Sequence, residues 1–207
     1  INGDLPLVPM KYCPECGAGL ERHRVAGELR GHWFCQACGV PRHDHPMVVV
    51  TCFVTCGKRL LWVKRDLEPK RGLWAIPGGY LESGETLAEG AARELAEEAG
   101  VVLPPERLAL YMTGTITFIN QVYVGFRVAV ETTDFSPGVE SQDCGFFARE
   151  DCPWGEVAYP EVNDSIRQVY DDLDRGSFGV WQAQMSQSRY LFQEVSQHNR
   201  GTPQKPP

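Results

Sequence analysis

Gly79-Tyr-Leu-Glu-Ser-Gly-Glu85-Thr-Leu-Ala-Glu-Gly-Ala-Ala-Arg93-Glu94-Leu-Ala-Glu97-Glu98-Ala-Gly100-Val101 decides how the rest of the chain is read. Thr86 followed by Glu89 forms a capping box, and Gly100 stands where a helix-stopping glycine belongs. The spacing therefore predicts a helix between them. Leu87, Ala91, Leu95 and Ala99 recur every four residues, with Ala88 and Ala92 beside them, as a buried stripe should. At about 100° per residue, Glu94, Glu97 and Glu98 share one neighbouring face. Such a trio is most simply a solvated helix face. Two features weigh against that reading. Carboxylates at these spacings repel one another, and the C-terminal half of a helix disfavours negative charge. A hard divalent cation, Mg2+ or Mn2+, among oxygen-only ligands would resolve both conflicts.

Upstream, Cys13-Pro-Glu-Cys16-Gly and Cys35-Gln-Ala-Cys38-Gly are two knuckles. Each tight turn points two thiolates at one ion, and together they supply the closed tetrahedral set of a structural zinc. Leu20 to Val25 and Leu29 to Phe34 are predicted to pair across Gly27. A segment this small takes much of its folding free energy from the metal. His23, His32, His43 and His45 lie nearby and are read as bystanders. Cys52, Cys56, Cys144 and Cys152 are read as small buried hydrophobes. Met47 to Val54 reads as a buried strand, Leu60 to Arg65 as the returning strand, and Leu73 to Pro77 as a short strand ending at a glycine turn.

Downstream, Leu108 to Ile119, Gln121 to Glu131 and Cys144 to Ala148 read as strands, and Glu161 to Leu173 as a helix. Asp164 and Asp172 are expected to be solvated charges on that helix.

The 207 residues, 43% hydrophobic and 23% charged, have the composition of an ordinary globular protein. No apolar run approaches the length of a membrane span. The net charge of −7 argues against a phosphate-backbone binder. The first residues have neither a basic stretch nor an apolar core, so a cytoplasmic enzyme is expected.

Gly79 through Val101 resembles the Nudix box, G-x5-E-x7-R-E-U-x-E-E-x-G-U with U aliphatic, and fills every specified position. The resemblance implies an α+β fold: an α/β/α sandwich on a mixed sheet, here preceded by a small zinc-ribbon hairpin module. It implies Mg2+- or Mn2+-dependent hydrolysis of the pyrophosphate bond in a nucleoside diphosphate linked to another moiety. By the same analogy Glu94, Glu97 and Glu98 hold the metal, the backbone of Gly79 adds a ligand, and Arg93 with Glu85 forms the ion pair fixing loop against helix. Looser matches at Ile119–Tyr123 and Pro137–Ser141, with the ribbon in front, are similar to plant-type FAD and ADP-ribose pyrophosphatases. They add Glu140 as a second candidate base or ligand, its plainer reading being a turn glutamate. They also add Gln121 and Tyr123 as candidate substrate contacts, with Arg65, whose plainer reading is a pair with a surface acid, as the candidate to reach a phosphate. Phe118, Tyr123 and Trp74 are candidates to stack on a base in such a site, each equally well explained as core. A homodimer enters only by analogy.

The expected division is 1–10 as an N-terminal segment, 11–46 as the zinc ribbon, 47–175 as the hydrolase domain, and 176–207 as an aromatic-punctuated extension with a disordered tail. The NADH pyrophosphatase group also carries such a ribbon, but its Ser-Gln-Pro-Trp-type motif has no counterpart here. NADH or an NAD cap is therefore the second substrate reading. A nucleotide sensor or a ribbon-based nucleic-acid or protein-binding module without catalysis is the alternative from a different class.

Overall fold

The computed structural model of the chain describes residues 10–24, 31–43 and 45–195. The turn expected at Gly27 and the tail from Thr202 onward lie outside them. In the ribbon, Gly17 and Gly39 adopt φ of 71° and 70°, which lets each knuckle close on itself. Strands β1 (Glu21–His23), β2 (His32–Cys35) and β3 (Val40–Arg42) form an antiparallel sheet, with Phe34 opposite both Glu21 and Pro41.

The apolar run at Met47 extends further than expected, as β4 (Met47–Cys56), and is buried along both faces. Gly57 then turns the chain into β5 (Arg59–Arg65), followed by β6 (Trp74–Ala75) and β7 (Gly78–Tyr80). The glycine pair expected to make a turn is therefore a strand. Gly79 pairs with Val50 and Gly78 with Thr51. A Cβ on Gly78 would sit 2.3 Å from the Val50 carbonyl oxygen, so only glycine permits this approach.

Helix α1 (Leu87–Ala99) comes next, then β8 (Ala109–Ile116), β9 (Gln121–Ala129), β10 (Ser141–Phe147), α2 (Asn163–Arg175), β11 (Trp181–Met185) and β12 (Tyr190–Glu194). Among the described residues, nine strands form one sheet in the order β10-β5-β4-β9-β8-β11-β12, with β6 on β5 and β7 on β4. The β4–β9 and β8–β11 pairs are parallel and the rest antiparallel, so the sheet is mixed, as the fold class requires. Ala91, Leu95 and Ala99 of α1 pack with Val50, Cys52 and Val54 on one face. Ile166, Val169 and Tyr170 of α2 pack with Phe53, Trp62 and Tyr111 on the other. The result is the three-layer sandwich.

Two features differ from the sequence reading. The segment after residue 175, expected only as an aromatic-punctuated extension, supplies β11, which runs parallel to β8 with Ala183 opposite Gly114 and extends the sheet. Asp172, expected to be solvated, is 0% exposed. Its carboxylate accepts from Tyr111 Oη at 2.9 Å, Gln168 Nε2 at 2.8 Å and Trp181 Nε1 at 3.2 Å, and pairs with Arg175. These donors satisfy its lone pairs, which is what makes burial of the charge tolerable. No helix among the described residues is long and apolar enough to cross a membrane.

A carboxylate-lined cavity as the candidate active site

Helix α1 starts and stops where its caps dictate. Thr86 Oγ1 accepts from the Glu89 N–H, and the Glu89 side chain accepts from the Thr86 N–H at 2.7 Å. Gly100, at φ 63°, closes the C-terminal end. With the apolar stripe fixed against the sheet, Glu94 and Glu98 turn inward to 8% and 6% exposure. The Glu97 side chain stays 48% exposed at the mouth.

Arg93 ties this wall together. Its guanidinium donates to both oxygens of Glu85, at 3.0 and 2.8 Å, to Glu94 at 2.8 Å, to Glu97 at 3.0 Å and to the Tyr80 carbonyl at 3.0 Å. The bidentate pair with Arg93, helped by the Glu82 N–H, holds Glu85 well below the usual carboxylate range. Burial pushes Glu94 up, against the pull of Arg93. Burial also pushes Glu98 up, to about 7, although the Gly78 N–H donates to it at 2.8 Å and opposes the rise. The negative charges of Glu94 and Glu140 add to that rise.

Glycine also shapes the approach to the carboxylates. A Cβ on Gly79 would stand 2.5 Å from Glu94 Oε1, so the bare backbone leaves room beside the carboxylate. Gly138 packs even closer to α1, where a Cβ would fall 1.6 Å from the Glu97 carbonyl oxygen. Its N–H donates to the Glu98 carbonyl at 3.0 Å, and the Glu140 carbonyl accepts from the Asp66 N–H at 2.9 Å. The loop carrying Glu140 is thereby pinned to both α1 and β5.

These groups line one cavity of about 1100 Å3, large enough for a dinucleotide-sized ligand. It brings together Gly79, Arg93, Glu94, Glu97, Glu98, Glu140, Arg65, Gln121 and Tyr123. Glu85 stands behind Arg93 and does not line it. Arg65 lies 5.7 Å over the Tyr159 ring and donates from Nε to the Pro69 carbonyl. Tyr159 and the β11 residues Ala183 and Met185 also line the cavity, and sequence reasoning missed them. Only their aromatic or apolar character marked them, and nothing local gave their position. Trp74 sits in the core against Phe147, and neither it nor Phe118 lines the cavity.

The donor set suits a hard divalent ion: two nearly buried carboxylates and a third at the mouth, all oxygen, with the Gly79 backbone lining the same cavity. In the ribbon, the Sγ atoms of Cys13, Cys16, Cys35 and Cys38 all lie within 4.8 Å of one another. Cys13 and Cys38 are 3.9 Å apart, and Cys16 and Cys35 are 3.5 Å apart. Four thiolates at ~2.3 Å from a tetrahedral zinc stand ~3.8 Å from each other, so the residues fit that ion. Burial raises the Cys13 thiol, but the N–H groups of Cys16 and Glu15 and the neighbouring thiols outweigh it and bring it down to about 6. His32 and His43 of the ribbon meet edge-on, their ring centroids 5.1 Å apart, and among the described residues no histidine joins the sulfur cluster.

Residues 45–173 match the NUDIX domain family. A solved NUDIX hydrolase from Nitrosomonas europaea superposes with a TM-score of 0.77 at 30% identity, covering 86% of this chain and 100% of that one. The NAD-capped RNA hydrolase NudC of Stutzerimonas stutzeri is 31% identical over 69% of this chain and 50% of its own length. An ADP-ribose pyrophosphatase of Methanocaldococcus jannaschii is 40% identical over 28% of this chain and 34% of its own length. The chain thus spans half or less of the length of these two curated relatives.

Proposed function

The chain belongs to the NUDIX domain family, and we propose that it hydrolyses the pyrophosphate bond of a nucleoside diphosphate linked to another moiety, FAD or ADP-ribose foremost. The products are AMP and a phosphorylated remainder. The observation that carries this reading is the convergence of Glu94, Glu97, Glu98 and Glu140 with Arg65 on one dinucleotide-sized cavity.

Glu94, Glu97, Glu98 and the Gly79 carbonyl would hold Mg2+ or Mn2+, which supplies the charge neutralisation that a pyrophosphate needs before a nucleophile can approach. Arg93 keeps Glu94 and Glu97 aimed while its other edge grips Glu85. Arg65, steadied on Tyr159, binds a phosphate oxygen. Glu140 takes the proton of the attacking water, whose oxygen bonds to phosphorus as the bridging P–O bond breaks. Release of phosphate from the products by a coupled phosphatase, over a panel of FAD, ADP-ribose, NADH and NAD-capped RNA with Mg2+ present, tests the reading. No turnover of any member would sink it. The likeness to the Stutzerimonas stutzeri NAD-capped RNA hydrolase favours the capped RNA and NADH as the second reading, and their faster turnover would select it.

Gly138→Ala forces the Glu140 loop off α1. Steady-state kinetics is expected to show kcat lower by about tenfold to a hundredfold, from misplacement of the base. Thermal melting is expected to show a loss of about 1–3 kcal/mol from overpacking. Unchanged kcat would remove Glu140 from the reaction.

The ribbon holds structural zinc in this proposal. Prolonged dialysis against a strong chelator is expected to release one zinc per chain and expose Cys13, Cys16, Cys35 and Cys38 to a chromogenic thiol reagent. Readdition of zinc before oxidation is expected to protect them again. Thiols equally reactive with and without chelator would count against the site.

A further inference from the structure

Strands β8 and β11 supply an uncharged part of the lining of the same cavity. In their parallel register Gly114 stands opposite Ala183, with Met112 two residues before and Ile116 paired with Met185 two residues after. All of these line the cavity, as does Tyr190 on β12. None of the six carries a charge at neutral pH. The two smallest residues, Gly114 and Ala183, pair in mid-register between longer apolar ones, and that pattern leaves room for a flat group over the small pair.

The outer half of this slot lies beyond the family match, which ends at residue 173. It is nevertheless held rigidly. Trp181 donates to the buried Asp172 at 3.2 Å and stacks on Phe192 with an interplanar angle of 8°. A wall fixed this way discriminates by shape, because it cannot relax around a poor fit.

We propose that the slot over Gly114 and Ala183 binds a planar aromatic ring of the substrate, a nucleobase or a flavin-type ring, so that the β11–β12 hairpin selects what is attached to the diphosphate. A flat ring is the shape that buries most apolar area on such a floor. The slot is continuous with the glutamate end, so a ring bound here remains joined to a diphosphate there. The inference rests on the reading of that end as a diphosphate site.

Isothermal titration of AMP, FMN and inorganic pyrophosphate into the full chain with Ca2+ present tests it. Ala183→Leu fills the slot and is expected to weaken AMP or FMN, whichever ring it takes, by at least about tenfold, with pyrophosphate changing by less than about twofold. Met185→Ala removes packing without filling the slot, and is expected to act in the same direction on the same ligand. Circular dichroism shows that each variant is folded. Equal weakening of all three ligands, no weakening of any, or no saturable binding of AMP and FMN to the wild type overturns the proposal. Ring binding that Ala183→Leu abolishes, in a protein that never binds pyrophosphate, overturns the diphosphate reading and supports the slot.

Discussion

Glu98→Gln is expected to lower kcat by about 10²–10³-fold while making the protein more stable when no Mg2+ or Mn2+ is added. The amide keeps the shape and can still accept the Gly78 N–H, so the loss is one of charge at the proposed cation site. The gain in stability follows from burial. Glu98 titrates at about 7 in the fold against 4.5 for an ordinary glutamate. Across that window the folded chain keeps a proton that the unfolded chain has released, so stability falls as pH rises from 4.5 to 7 and stays low above it. The full penalty is on the order of 3 kcal/mol, and glutamine removes it. Thermal melting from pH 5 to pH 8 is expected to show a declining midpoint for the wild type and a flatter profile for the variant. Saturating Mg2+ is expected to narrow the difference by stabilising the wild type alone. A variant that turns over substrate at the wild-type rate would take Glu98 out of the metal site.

Asp172→Ala is expected to cost about 3–5 kcal/mol, the range for removing one partner of a buried charged network. The substitution strands the Tyr111 hydroxyl, the Trp181 indole N–H and the Gln168 amide at once. Because these come from β8, β11 and α2, the loss loosens three elements together. Urea unfolding reads the change directly, and the melting midpoint is expected to fall by roughly 10 °C or more. Asp172→Asn, which keeps one acceptor, is expected to fall between the two. A loss below about 1 kcal/mol for the alanine variant would mean that water replaces the carboxylate at little cost.

The glutamate wall was legible because everything that makes it is local: a capping box, a four-residue apolar repeat and a terminal glycine fix the helix and hence the face. The ribbon was legible for a similar reason, since two short spacings bring four cysteines together. The partner of Asp172 was not legible, because Tyr111 lies 61 residues away and nothing in the helix itself distinguishes this aspartate from Asp164. Gly78 and Gly79 read as a turn because glycine usually serves one; here they serve contact with β4, a pairing invisible in their own neighbourhood. The cavity floor was equally hidden. It is assembled from alternate residues of strands that meet only in the folded sheet, and β11 joins through a parallel pairing that no turn announces.

That parallel pairing also determines how the sheet ends. With β11 and β12 in place, the outermost strand on that side among the described residues is a short one of five residues that finishes in Gln193 and Glu194. Cutting the chain after Arg175 would move the border to β8. The backbone groups of residues 112–116 that bond to β11 would lose their partners, beside side chains as apolar as Met112 and Ile116. Such a border is a template for strand addition by a second molecule. The hairpin in this sense covers the β8 edge, and a shortened chain would need something else to cover the gap.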